Sequence, residues 1–219
     1  MKLKRAFTEE INLQYLLDLP ENYSSEKNWP LVIFLHGYRE RGDNLELVRK
    51  HGPPKLAGEG QQFPFVLASP QCPAEFHWRS SFIISLVEEL LANYSIDPNR
   101  VYLPGLSMGG YGTWQAALEY PEKFAAIVPI CGGGSHIDLP FMDRLRNLPI
   151  LAFHDSGDDV VPYQESVRMV EKVNASGGNA KLKTFHEKSH DSWTAAYANP
   201  ELYEWMLSKT RTHLATRYP

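Results

Sequence analysis

An α/β architecture, a mainly parallel sheet covered by helices on both faces, is what this sequence predicts, on three observations. Short apolar runs alternate along the chain with longer segments of helical periodicity. Turn and stop signals fall between them. The composition, 219 residues of which 43% are hydrophobic and 22% charged, suits a globular chain with one sizeable core, so a single domain over 1–219 is expected.

From the N-terminus, the strand candidates are residues 13–19, 31–35, 65–69, 101–103, 125–130, 150–153 and 181–185. The second, Leu31-Val32-Ile33-Phe34-Leu35, is apolar throughout, the signature of a strand buried on both faces. Helical periodicity marks residues 80–94, 108–120, 163–175 and 193–207. Asp97-Pro98-Asn99 reads as a turn ahead of a strand, Pro121 stops a helix, and Gly177-Gly178 breaks another. Pro104 has no N–H to give a parallel ladder, so the strand at 101–103 is expected to end just before it. No stretch reads as a linker, a repeat, or an insertion long enough for a separate lid domain.

Charge and apolar runs exclude several classes. The net charge of −4 comes from residues spread along the chain, leaving no basic stripe for a phosphate backbone, so no nucleic-acid partner is expected. Residues 1–5 carry the charge of a secretory n-region, but Thr8, Glu9 and Glu10 stand where its apolar stretch would follow. The longest apolar runs fall far short of the roughly 20 residues that span a bilayer. A soluble, cytoplasmic protein without membrane partners is expected. Cys72 and Cys131 read as free thiols, too sparse for a cysteine zinc site.

Chemistry enters at Gly105-Leu106-Ser107-Met108-Gly109, which matches G-x-S-x-G. Such a turn holds a serine exposed between a strand and a helix, and side chains at its flanks would collide with both. The bare pattern is weak. The context is right, with strand-like residues 100–103 before it and a helix-like run after it. Ser107 is therefore read as a nucleophile. Acyl transfer also needs backbone N–H groups aimed at the oxygen that becomes negative. Met108, at a helix N-terminus, offers one. Tyr38, in His36-Gly37-Tyr38 directly after the apolar strand, offers the other.

A serine hydroxyl needs a base, and the base a carboxylate to fix its tautomer. Residues 154–162 follow the strand at 150–153 and hold Asp155, Asp158 and Asp159. Asp158 is favoured because it lies mid-loop, with Asp155 second. Of the histidines beyond it, His190 lies in the loop after the last strand, His186 at the strand end and His213 in the tail. His190 is the best placed. The run His186-Glu187-Lys188-Ser189-His190 also matches the zinc pattern H-E-x-x-H, which requires a helix. Here it follows β-like residues 181–185 and precedes Asp191-Ser192, which favour turns and caps, so no metal or other cofactor is expected.

These residues resemble the small esterases of the α/β-hydrolase superfamily, in the phospholipase/carboxylesterase, dienelactone-hydrolase-like and polyhydroxybutyrate-depolymerase-like branch. The similarity runs over about 31–207. It rests on Leu35-His36-Gly37 with Glu40-Arg41-Gly42-Asp43, on residues 105–112, on Phe124-Ala125-Ala126 and on His190-Asp191-Ser192-Trp193. The resemblance implies an α/β-hydrolase fold and the triad Ser107, Asp158 and His190, since family members carry the acid in a His-Gly-x-x-Asp-x-x-Val-Pro stretch that Asp158 fits. The chain departs from that stretch at Asp155, where glycine is usual, and from the elbow at Pro104. A serine at 107 separates it from true dienelactone hydrolases, which use cysteine. An open cleft suits small, short-chain, aryl or polymer-attached esters. A peptidase or acyltransferase with the same triad is the main alternative. Trp78 and Trp193 are candidate substrate contacts, Trp114 is as well explained by core packing, and self-association is left open.

Overall fold

The computed structural model describes residues 12–211; residues 1–5 and His213 lie outside them. Each predicted strand is present: β1 (Tyr15–Asp18), β2 (Trp29–Ile33), β3 (Val66–Pro70), β4 (Ile96–Leu106), β5 (Ala126–Ile130), β6 (Ile150–Asp155) and β7 (Ala180–Phe185). They form one sheet in the order β1-β3-β2-β4-β5-β6-β7. Only β1 runs antiparallel, against β3; the other pairs are parallel. The helices are α1 (Gly52–Gly58), α2 (Ser80–Asn93), α3 (Met108–Glu119), α4 (Gln164–Ala175), α5 (Trp193–Ala198) and α6 (Pro200–Leu207).

Strand alternation divides the core in two. Leu31, Ile33 and Leu35 face one side and share one core with Ile83 and Leu90 of α2, Trp114 of α3 and Val173 of α4. Val32 and Phe34 face the other, under Tyr197, Leu202 and Met206 of α5 and α6. Burial on both faces is why residues 31–35 are apolar without a break. After β2 the chain moves to one side to form β3, then to the other to form β4 onward. The order therefore reverses between β2 and β4, and loops leaving their carboxyl ends diverge to open a crevice.

Three boundaries differ from expectation. β4 does not stop before Pro104 but runs to Leu106, because the missing N–H removes only one rung. Pro104 O still accepts from Leu35 N at 3.0 Å, and Leu106 N donates to Leu35 O at 3.0 Å. Asp97-Pro98-Asn99 turns within β4 rather than ahead of it. Asn99 N donates to Asp97 Oδ1, and the register against β2 jumps between Trp29 and Leu31, leaving 97–100 outside the ladder. The helix expected at 193–207 is two helices. Pro200 has no N–H to continue the first, while Asn199 Oδ1 accepts from Glu201 N at 3.0 Å and caps the second. Sequence periodicity missed α1, a short helix that opens with Gly52-Pro53-Pro54. No helix among the described residues is long and apolar enough to cross a membrane.

Candidate active site

Ser107 sits between the end of β4 and the start of α3, with φ 52° and ψ −116°, a strained conformation for a residue with a side chain. Neighbouring glycines allow it. A Cβ on Gly109 would lie 2.0 Å from Leu35 O, and one on Gly105 2.4 Å from Gly109 O, so backbone occupies the space a side chain would need. His190 Nδ1–H donates to Asp158 Oδ2 at 2.7 Å. That tautomer leaves the Nε2 lone pair facing Ser107 Oγ at 3.0 Å, where the hydroxyl donates. The Asp158 side chain is fully buried, and its Oδ1 accepts from Val160 N and Val161 N, both at 2.9 Å. The three predicted residues thus come together from the ends of β4, β6 and β7.

Asp155, the second candidate acid, does different work. Its Oδ2 accepts from Glu187 N at 2.6 Å, and its Oδ1 from Gly157 N at 2.7 Å and Lys188 N at 3.1 Å. Burial pulls this carboxyl upward, but the N–H groups of Gly157, Glu187, Lys188 and Ser189 outweigh it and hold the group below the ordinary carboxylate value. Asp155 therefore fastens the loop carrying His190 to the loop carrying Asp158. A Cβ on Gly157 would stand 2.8 Å from Lys188 Cα, so the two loops touch.

The loop after β2 overhangs the serine, because a Cβ on Gly37 would stand 3.8 Å from Ser107 Cβ. Among the described residues neither Tyr38 N–H nor Met108 N–H has a hydrogen-bond acceptor. The Tyr38 side chain itself projects into solvent over Arg41. His36 braces this loop: Nδ1–H donates to Gly37 O at 2.6 Å, and Nε2 accepts from Cys72 N at 2.9 Å. The second bond needs a neutral ring, because only an unprotonated Nε2 can accept. Burial lowers its pKa from 6.5 to about 4, the bond to Gly37 O opposing and the Arg41 charge assisting. The unfolded chain therefore takes up this proton first. Stability from His36 is complete above pH 6.5 and is lost as the pH falls towards 4, about 3 kcal/mol in all. Urea titrations at pH 7 and pH 4.5 are expected to show most of that loss, and His36→Gln to reduce the difference.

The two tryptophan candidates separate. Trp78 is 3% exposed, and its Nε1 donates to His36 O at 3.0 Å, so it supports the overhanging loop from within the core and does not line the cleft. Trp193 is half-buried and stands edge-on to His190, ring centres 5.2 Å apart, with an Nε1 that has no hydrogen-bond partner among the described residues. Trp114 is core. Residues 186–192 form no helix, and His186 pairs with Ser156 Oγ rather than turning towards His190, so the zinc pattern lacks the geometry it requires. Among the described residues the donor atoms of Cys131, Asp158 and His190 lie within 4.8 Å of one another. Desolvation pushes the Cys131 thiol far up, which opposes the thiolate a metal needs, and Asp158 already occupies His190 Nδ1. Sequence reasoning overlooked His154, which is fully buried with Nε2 3.2 Å from Asp158 Oδ2; its place at the head of the family stretch was the available signal.

A parallel sheet with a Ser–His–Asp arrangement over its carboxyl edge defines the α/β-hydrolase class. Within it, the phospholipase/carboxylesterase profile matches residues 63–199, and the chain belongs to that family. It is 30% identical over 149 residues to the bifunctional acetylxylan esterase/xylanase XynS20E of Neocallimastix patriciarum, covering 63% of this chain and 20% of that protein. It is 32% identical over 133 residues to poly(3-hydroxyalkanoate) depolymerase C of Paucimonas lemoignei, covering 56% of this chain and 32% of that one. The chain thus matches a fifth to a third of the length of these relatives. The crystal structure of a thermostable esterase superposes with a TM-score of 0.80 at 33% identity, over 92% of this chain and 60% of that one.

Proposed function

We propose that this chain is a serine carboxylic-ester hydrolase acting through an acyl-enzyme on Ser107. The observation that carries the reading is the hydrogen-bonded series Ser107–His190–Asp158, set on a sharp strand-to-helix turn. His190 Nε2 takes the hydroxyl proton as Ser107 Oγ bonds to the ester carbon, and Asp158 stabilises the imidazolium. The carbonyl oxygen becomes negative and is met by Tyr38 N–H and Met108 N–H, each worth about 3 kcal/mol in the transition state. Collapse breaks the bond to the alcohol oxygen, which receives the proton from His190 Nε2. Water, deprotonated by the same imidazole, then releases the acid and restores Ser107.

Small, short-chain or polymer-attached esters are the proposed substrates. Support comes from relatives named for acetylxylan and poly(3-hydroxyalkanoate) and from Trp193, whose indole flanks His190 where an alcohol or aryl group would leave. A cytoplasmic setting belongs to the same proposal, supported by the two buried free thiols.

Hydrolysis of p-nitrophenyl esters of increasing chain length, with and without a serine-directed phosphonate and with and without a chelator, tests the reading. Turnover is expected to fall to background with phosphonate, one label per chain appearing on Ser107, and to be unchanged by chelator. Absence of turnover on every ester, or loss with chelator alone, would overturn it.

A further inference from the structure

The buried carboxylate beneath His190 is touched by a second imidazole. His154 lies one residue before the end of β6, fully enclosed. Its Nε2 is 3.0 Å from Val161 O and 3.2 Å from Asp158 Oδ2. Both partners only accept, so Nε2 carries a proton and shares it, with the longer branch reaching the carboxylate. On the other side of the ring, Nδ1 is 2.8 Å from Ser166 Oγ on α4. Ser166 Oγ carries one proton and lies 2.8 Å from Gly132 O as well as from Nδ1; burial lowers the His154 pKa despite the Asp158 charge beside it, and in the neutral ring that hydroxyl proton serves Nδ1 as well as Gly132 O.

These bonds close a ring through the acid loop. Val161 N–H donates to Asp158 Oδ1 while Val161 O accepts from His154, and His154 reaches back to Asp158 Oδ2. The carboxylate is therefore held on both oxygens by the same local structure, and its plane is fixed before His190 arrives. A neutral donor suits this place. An imidazolium at 3.2 Å would cancel the charge that Asp158 offers to His190, whereas a neutral N–H orients the carboxylate and leaves its charge available. The titratable groups facing His154 are Asp158 and His190, with the Tyr163 ring edge-on at 5.7 Å.

We propose that His154 is a positioning residue for the acid: its Nε2–H, shared between Val161 O and Asp158 Oδ2, sets the carboxylate plane that His190 Nδ1 requires. The inference rests on the reading of Asp158 as the acid of the Ser107–His190 system.

Two side-chain amides separate this role from simple packing. Glutamine can place an N–H near the imidazole Nε2, while asparagine places one near Nδ1 and leaves Asp158 without that donor. On p-nitrophenyl acetate, His154→Asn is expected to lower kcat by about 10- to 100-fold with little change in KM, in line with the loss of other orienting partners. The acidic limb of its kcat/KM profile is expected to move to higher pH, because a carboxylate with one donor fewer holds the His190 imidazolium more strongly. His154→Gln is expected to recover most of kcat. Equal losses in the two variants that follow their melting temperatures, with the limb unmoved, would overturn the proposal.

A measurement on the unmutated protein does not depend on any variant folding. Nitrogen-15 NMR of the histidine rings should find His154 protonated at Nε2 and bare at Nδ1. The opposite tautomer would overturn the positioning role, since Nε2 would then have nothing to donate. Full turnover in Asp158→Asn would instead overturn the proposed function itself, and the positioning role with it.

Discussion

Ser107→Ala is expected to remove ester turnover almost completely, by a factor on the order of 10⁶ in kcat, while the protein still folds. The substitution deletes one oxygen from a half-buried site and keeps the Cβ, so nothing in the turn between β4 and α3 has to move. Residues that act as one unit do not add: His190→Ala is expected to cost about as much, and the double variant little more than either. Asp158→Asn is expected to cost about 10⁴-fold, because an amide N–H facing His190 Nδ1 turns the imidazole into the wrong tautomer. Active-site titration with a phosphonate, beside steady-state kinetics, separates lost chemistry from lost protein. Normal turnover in Ser107→Ala would sink the nucleophile assignment outright.

Gly109→Ala is expected to damage both fold and activity, through one methyl group. The added carbon would meet Leu35 O at 2.0 Å, Leu35 C at 2.6 Å and His36 O at 2.8 Å, all backbone atoms. Leu35 cannot retreat freely, since its N–H and C=O form the last rungs between β2 and β4. Relief must come from displacing α3 or the loop that bears Tyr38. Destabilisation of about 3 kcal/mol is expected, at the upper end for overpacking. A 1 Å error between the serine and the proposed oxyanion donors is expected to cost about 100-fold in rate. Gly177→Ala is the control. With φ 86° and no atom within 4 Å of its Cβ, it carries only local backbone strain, so activity should be unchanged. Melting curves with p-nitrophenyl acetate turnover on both variants provide the check.

What was legible in the sequence follows from how local each signal is. The seven strands, the sharp turn at Ser107 and the chain order of Ser107, Asp158 and His190, which meet in space, are written in short runs of residues, and all were readable. Helix 193–207 was overextended because apolar periodicity continues through Pro200, whereas the break depends on one missing N–H and the Asn199 cap. Asp155 and Asp158 were separable by loop position and by the family stretch that Asp158 fits. What distinguishes them in space is that Asp155 finds backbone N–H groups more than 30 residues away, while Asp158 meets His190. Trp78 looked like a pocket residue because it precedes a helix. Its role is fixed by His36, 42 residues earlier, and no periodicity encodes that contact. His154 was passed over because it reads as one more residue at a strand end; its place at the head of the family stretch was the signal, and Val161, Ser166 and Asp158 gather around it only in the fold.

The position of β7 has a thermal consequence. Among the described strands it is an outermost one, bonded only to β6, and the loop after it presents His190. Ser107, by contrast, hangs from β4 in the interior of the sheet. Edge elements open at lower free energy than central ones, so warming should detach the imidazole while the serine stays seated. Heat inactivation would then begin as a reversible decoupling at the rim, with the fluorescence of Trp193 changing before that of buried Trp114. The temperature ceiling of the activity is set by the margin of the sheet, not by its centre.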